Sequence, residues 1–139
     1  MTDTQGPIPA DRMVKFGDAV RLFFKNYLVV EGRSSRGAYW YAALALILAT
    51  IVASVVDLIL FGDFTTALDG NGPINIILGL ATLIPGIAVG VRRLHDTGRS
   101  GWWLLITLTV IGVVLLIWWY CQPGERKDNR FGPDREAGR

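Results

Sequence analysis

Lysine and arginine are absent from Ala38 to Val91 of this 139-residue chain, and between Trp102 and Cys121 there is no charged side chain of either sign. The first of those stretches has only Asp57, Asp63 and Asp69 as charges. A soluble domain of this size must cover its core with polar surface, so it cannot segregate charge in this way. The solvent for these segments is lipid. Cysteine and histidine are just as scarce, one of each, Cys121 and His95. One cysteine excludes an internal disulfide framework, and one Cys with one His falls short of the three or four ligands of a first-row metal site. Cys121 ends an apolar run and reads as a small buried hydrophobe rather than a reactive thiol. A phosphate-binding glycine motif is missing, and Ser100 beside a lone His95 is not a triad. No catalytic residue, metal or cofactor is assigned, nothing points to nucleic acid, and the chain reads as a non-enzyme.

What is present is a chain of apolar segments between basic ones. Residues 1–10 read as a flexible tail, 11–134 as a single membrane domain and 135–139 as a flexible C-terminus. Within 11–31, Phe16, Val20, Phe23, Phe24 and Tyr27 recur at helical spacing opposite Lys15, Asp18, Arg21 and Lys25. That pattern suits an amphipathic helix lying in the membrane interface, or a soluble one packed on its own chain or a partner. Gly32 suits the end of that helix, and Ser34 or Ser35 the cap of the next. Tyr39, Trp40 and Tyr41 follow as an aromatic belt at headgroup level. Spans are expected at about 38–61, 73–91 and 102–121, each long enough for a hydrocarbon core of about 30 Å. The fold expected is an all-α membrane protein, a small bundle of about three transmembrane helices preceded by the interfacial helix. The polar N-terminus with Pro7 and Pro9 leads us to expect no cleavable signal peptide, so targeting falls to the first span.

Four positions in these spans invite functional readings. Asp57 is a candidate proton or cation site, yet it lies about 28 Å beyond Ala38 along a helix, near the far interface. Pro85 should kink the second span and free a carbonyl that then needs a neighbour or a water. Gly86 and Gly90 form a small-xxx-small pair that allows close helix packing.

Charge also sets topology. Six basic residues precede the first span, none lies in 62–72, and three occupy 92–101. The N-terminus and the 92–101 loop are therefore expected in the cytoplasm. Three crossings then put the tail 122–134 outside with its basic residues, against the same rule. A hairpin of 102–121 with Gly112 at its turn removes the conflict but cramps the chain, and three crossings are the working expectation.

The arginines carry the leading functional reading. Arg33 and Arg36 stand ahead of Tyr39-Trp40, and Arg99 stands ahead of Trp102-Trp103, with Gly-Arg-Ser preceding aromatic residues both times. With Arg92 and Arg93 they form a basic face for anionic lipid headgroups or a partner protein. The alternatives are plain topological anchoring, or a small transporter or channel subunit formed by oligomerising with copies of itself or another membrane protein. His95-Asp96 is a weak signal for lipid-phosphate chemistry and more often fixes a loop.

The segments Arg33–Trp40, Arg92–Trp103 and Asn129-Arg130-Phe131-Gly132-Pro133-Asp134 together resemble the YhaH-like inner-membrane proteins, a domain of unknown function numbered 805. The likeness spans residues 16–134. It implies a multi-pass protein of the bacterial inner membrane and brings no activity. It also marks His95, Asp96, Asn129, Arg130, Phe131 and Gly132 as a structural motif.

Overall fold

The computed structural model describes residues 14–135. The tail at 1–10, the start of the helix expected from residue 11, and 136–139 lie outside the described residues. Regular structure among the described residues is helical, with one isolated bridge between Asn129 and Gly132.

Helix α1 covers Phe16–Lys25, shorter than the expected 11–31. Asn26 ends it, donating its N–H to Leu22 O. The β-branched pair Val29-Val30 that follows favours extended backbone over another helical turn. Helix α2, Arg36–Phe61, begins at Ser35, whose side chain accepts from Ala38 N, and ends at Gly62 in the left-handed region. Its 26 residues reach about 39 Å. A five-residue helix α3, Phe64–Leu68, turns the chain, and α4 runs from Pro73 to Asp96. These α2 and α4 regions are the two candidate spans by length and hydropathy.

The two long helices are antiparallel and tied at both ends. At the far end Asp57 is 2% exposed and accepts from Ile74 N (2.9 Å), Asn75 N (3.1 Å) and Asn75 Nδ2 (3.2 Å). It therefore caps the first turn of α4, where orphan amides and the helix dipole favour a carboxylate. A Cβ on Gly72 would run into that carboxylate, so the close approach requires glycine there. At the near end Phe23 of α1 packs with Ala42 and Val89. Tyr27 Oη donates to Ala81 O at 2.5 Å. Ala81 is the residue whose carbonyl Pro85 leaves without its helical N–H, so the turn after α1 satisfies the proline break.

The segment expected as a third continuous span is two pieces. Gly101–Leu108 is a 3-10 helix and Val110–Cys121 is helix α5. Thr109 breaks between them with extended backbone, and its hydroxyl accepts from Gly112 N while donating to Ile106 O at 2.9 Å. A Cβ on Gly112 would collide with Ile106 O, so the arms close only around glycine. The arms, about 16 Å and about 18 Å long by their rises, lie side by side. Trp103 meets Trp119 edge-on at 5.5 Å between ring centres. Gly101 starts against Val91, and α5 ends where Tyr120 O receives Arg93, so the hairpin leaves and returns to the same end of α4. Leu94, Leu116, Trp119 and Tyr120 form the core beneath it. Cys121 is exposed, contrary to its reading as a buried hydrophobe.

Candidate functional site

Two helix ends meet at the basic pole of the molecule, and each leaves carbonyls that no later turn can pair. Arg93, one turn before the end of α4, reaches the end of α5. Its Nε and Nη2 donate to Tyr120 O at 3.3 and 3.2 Å, and Nη2 also donates to Gln122 O. Trp40 Nε1 adds a third group on Tyr120 O at 3.3 Å. The end of α4 is served from other segments. Asp96 O accepts from Glu125 N at 2.8 Å and Arg33 Nη2 at 3.3 Å, and His95 O accepts from Asn129 Nδ2 at 3.0 Å. Cations at helix C-termini suit the dipole as well as the hydrogen-bond geometry.

The charges balance at Asp96. Its Oδ1 takes Arg33 Nε at 2.9 Å and its Oδ2 takes Arg93 Nη1. All three side chains are at most 1% exposed. Arg33 further donates to Glu125 O at 2.6 Å and Lys127 O at 2.8 Å, and Asp134 Oδ1 lies 3.9 Å from its Nη2. A buried guanidinium is tolerated when carboxylate and carbonyl oxygens take its donors, and here they do. The tail thereby folds over the 92–101 loop. Gly124 passes so close to Asp96 that a Cβ would overlap the carboxylate.

The six motif residues come together around this knot. His95 stacks on Phe131 at 3.9 Å with planes 2° apart, and Arg130 covers that ring at 4.6 Å. His95 Nδ1 lies 3.1 Å from Gly32 O, and a carbonyl only accepts, so the proton sits on Nδ1. Asn129 Oδ1 receives Phe131 N at 2.9 Å, and Asn129 and Gly132 pair through their backbones. His95 and Asp96 are thus committed to structure. No group of three or more possible metal ligands forms among the described residues.

The arginines expected on one open face divide. Arg33 and Arg93 are inside and spend donors on the protein, so neither presents its head to lipid. Both are taken up by the pair of helix ends they cap. Arg99 lies over the Trp119 ring at 4.6 Å. Arg36 is half-buried at the head of α2, and Arg92 is 7% exposed. Gly90 does not await a second helix, since a Cβ there would sit 3.1 Å from Tyr120 Oη of the same chain, whereas Gly86 faces open space. Sequence reasoning missed Thr109, Tyr27 and the capping role of Asp57. Thr109 carried the one visible signal, a capping residue three positions before Gly112 inside an apolar run.

Two long apolar helices closed at one pole by a buried charged knot define an all-α transmembrane protein. The chain belongs to the family described as Protein of unknown function (DUF805), which it matches over residues 27–133. It is 40% identical over 111 residues to the Inner membrane protein YhaH of Escherichia coli strain K12, covering 79% of this chain and 89% of that one. With the Inner membrane protein YhaI of the same strain it shares 35% identity over 115 residues, 82% of this chain and 92% of the relative. No solved structure matches the chain.

Proposed function

We propose that this protein is a non-enzymatic module of the bacterial inner membrane whose cytoplasmic pole docks on anionic lipid headgroups. α2 and α4 cross the bilayer, α1 lies in the interface, and Gly101–Cys121 enters from the cytoplasmic side and returns to it. The carrying observation is the Arg33–Asp96–Arg93 knot, which holds the head of α2, the end of α4 and the tail together. With the tail on that pole, all 12 Lys and Arg of the described residues fall on one side. The charge rule is then obeyed throughout, and the conflict of three crossings disappears. The hairpin arms reach about half of a 30 Å core. At the hairpin tip Thr109 serves neighbouring backbone groups, as lipid demands. The cations that face outward are Lys15, Arg21, Lys25, Arg126, Lys127 and Arg130, which suit a surface of anionic headgroups at about 1 kcal/mol each.

The features behind a transporter reading have structural work instead: Asp57 caps α4 and Tyr27 serves the carbonyl freed by Pro85. Cys121, exposed and single, tests the topology directly. A membrane-impermeant maleimide should label it in inverted inner-membrane vesicles and not in right-side-out ones. A Cys121→Ser, Asp69→Cys variant should show the reverse pattern. Labelling of Cys121 from the periplasmic side overturns the two-crossing arrangement. For docking, detergent-purified protein should retain phosphatidylglycerol over phosphatidylcholine. That preference should fall when Lys15, Arg21 and Lys25 are neutralised together, and a preference unmoved by this change refutes headgroup docking.

A further inference from the structure

The cations of the basic pole differ in what answers their charge. Arg33 and Arg93 share Asp96, and Arg99 and Arg130 lie over aromatic rings. Arg92 has neither. It is 7% exposed, its Nε donates to Ala88 O at 3.3 Å, and no carboxylate of the described residues lies within ion-pair distance. Its Nη groups have no hydrogen-bond partner among the described residues. Arg135 comes from the tail to Gly32, two positions before the Ser34 N–H that bonds Arg92 O. The Arg135 guanidinium packs on Gly32, 3.7 Å from where a Cβ would be, and its buried Nε has no partner.

Guanidinium groups brought toward one segment repel each other unless an anion lies between them. Among the described residues the acids of the tail are engaged elsewhere. Glu125 accepts from Asn129, Asp128 accepts from Asp134 N, and Asp134 lies beside Arg33. The backbone adds to the field. Ser34 N donates to Arg92 O at 3.0 Å, which sets the head of α2 against Arg92, and Arg36 opens that 26-residue helix. A long helix presents partial positive charge at its N-terminus.

We propose that Arg92 and Arg135, at the head of α2, form a site for one phosphate group. Two planar forks can each bind a pair of phosphate oxygens, and a phosphate supplies oxygens enough for both where a single carboxylate does not. The site deepens the headgroup reading and rests on it only for the source of the phosphate, a phospholipid or a free phosphate of the cytoplasm.

The test uses the full chain in a non-ionic detergent, with inorganic phosphate as the probe and thermal unfolding as one readout. Wild type should rise in Tm with phosphate. Arg135→Gln should start at a higher Tm in phosphate-free buffer, because a like charge is gone, and should lose the response. Calorimetry should show phosphate binding at least tenfold weaker in Arg135→Gln and Arg92→Gln and unchanged in Asp69→Asn, whose exposed residue lies at the opposite end of α2 and α4. Arg135 makes no hydrogen bond or ion pair among the described residues, so its variant separates binding from folding should Arg92→Gln fail to fold. In the lipid arm, native mass spectrometry should find one phospholipid retained by wild type and lost in Arg135→Gln. Loss of phosphate binding with lipid retention intact upholds the site and assigns it to free phosphate. An Arg135→Gln protein that binds phosphate like wild type, or that unfolds at lower temperature while keeping the response, overturns the proposal.

Discussion

At Asp96 one carboxylate holds two buried guanidinium groups that come from different segments of the chain. Removing one partner of such a pair costs more than the pair contributes, because charge remains in a place water cannot reach. Asp96→Ala should lower stability by about 3–5 kcal/mol, read by unfolding in mixed micelles. A loss below about 1 kcal/mol, the range of exposed ion pairs, contradicts the burial described. From the sequence, His95-Asp96 was visible as a pair that fixes a loop, but the arginines it fixes were not. Arg33 and Arg93 look like Arg36 and Arg99 on paper, and only the positions of helix ends separate them. Asp63 offers a second residue-level test on the far side. Hydrogen bonds from Thr65 and then Thr66 hold its carboxyl down to about 2 from its ordinary 3.8. A depressed carboxyl stabilises the fold above its unfolded pKa, and that contribution is lost as pH falls through the folded value. In a ¹³C titration Asp63 should stay charged at pH 3, and Thr65→Ala should move its midpoint upward.

Among the elements, α1 and the hairpin depart most from their expected forms. Tyr27 belongs to the turn after α1, yet its hydroxyl serves the carbonyl of Ala81 within α4. Tyr27→Phe should cost about 0.5–1.5 kcal/mol. In a Pro85→Ala background the backbone N–H restored at that position can bond Ala81 O itself, so the same change should cost less. Equal costs in the two backgrounds would disprove the pairing, since a double-mutant cycle reports the coupling alone. For the hairpin, Gly112→Ala should destabilise by about 1–3 kcal/mol through overpacking against Ile106 O. Gly79→Ala, where a Cβ meets nothing, serves as the control and should stabilise slightly. Unbroken apolar length made α2 and α4 legible because every residue from Ala38 to Val56 and from Pro73 to Val91 is uncharged. It failed at 102–121 because uniform apolarity cannot distinguish one helix from two arms. The 3-10 geometry of the first arm leaves no trace in hydropathy.

For the molecule as a whole, the decisive feature is that the tail closes the pole it starts from. Glu125 N reaches Asp96 O, and the carbonyls of Glu125 and Lys127 receive Arg33. A chain ending at Gln122 should therefore lose thermal stability, because Arg33 loses those acceptors and Asp96 O loses Glu125 N. A tail on the opposite side of the membrane would be dispensable, so an unchanged Tm would contradict the closed pole. The tail motif Asn129–Gly132 was recognisable as a pattern, but its receptor was not. His95 lies 34 positions before Asn129 and meets it only when the hairpin returns.

The sequence by itself determined the solvent, the family, the two long apolar helices and the segments in which basic residues gather. These follow from local composition, which lipid reads segment by segment. Tertiary structure alone decided that 102–121 folds back, that Arg33 and Arg93 cap helix ends, and that Arg92 is buried without a carboxylate partner among the described residues. Those outcomes depend on which orphaned helix carbonyls meet, and that meeting joins residues up to 99 positions apart.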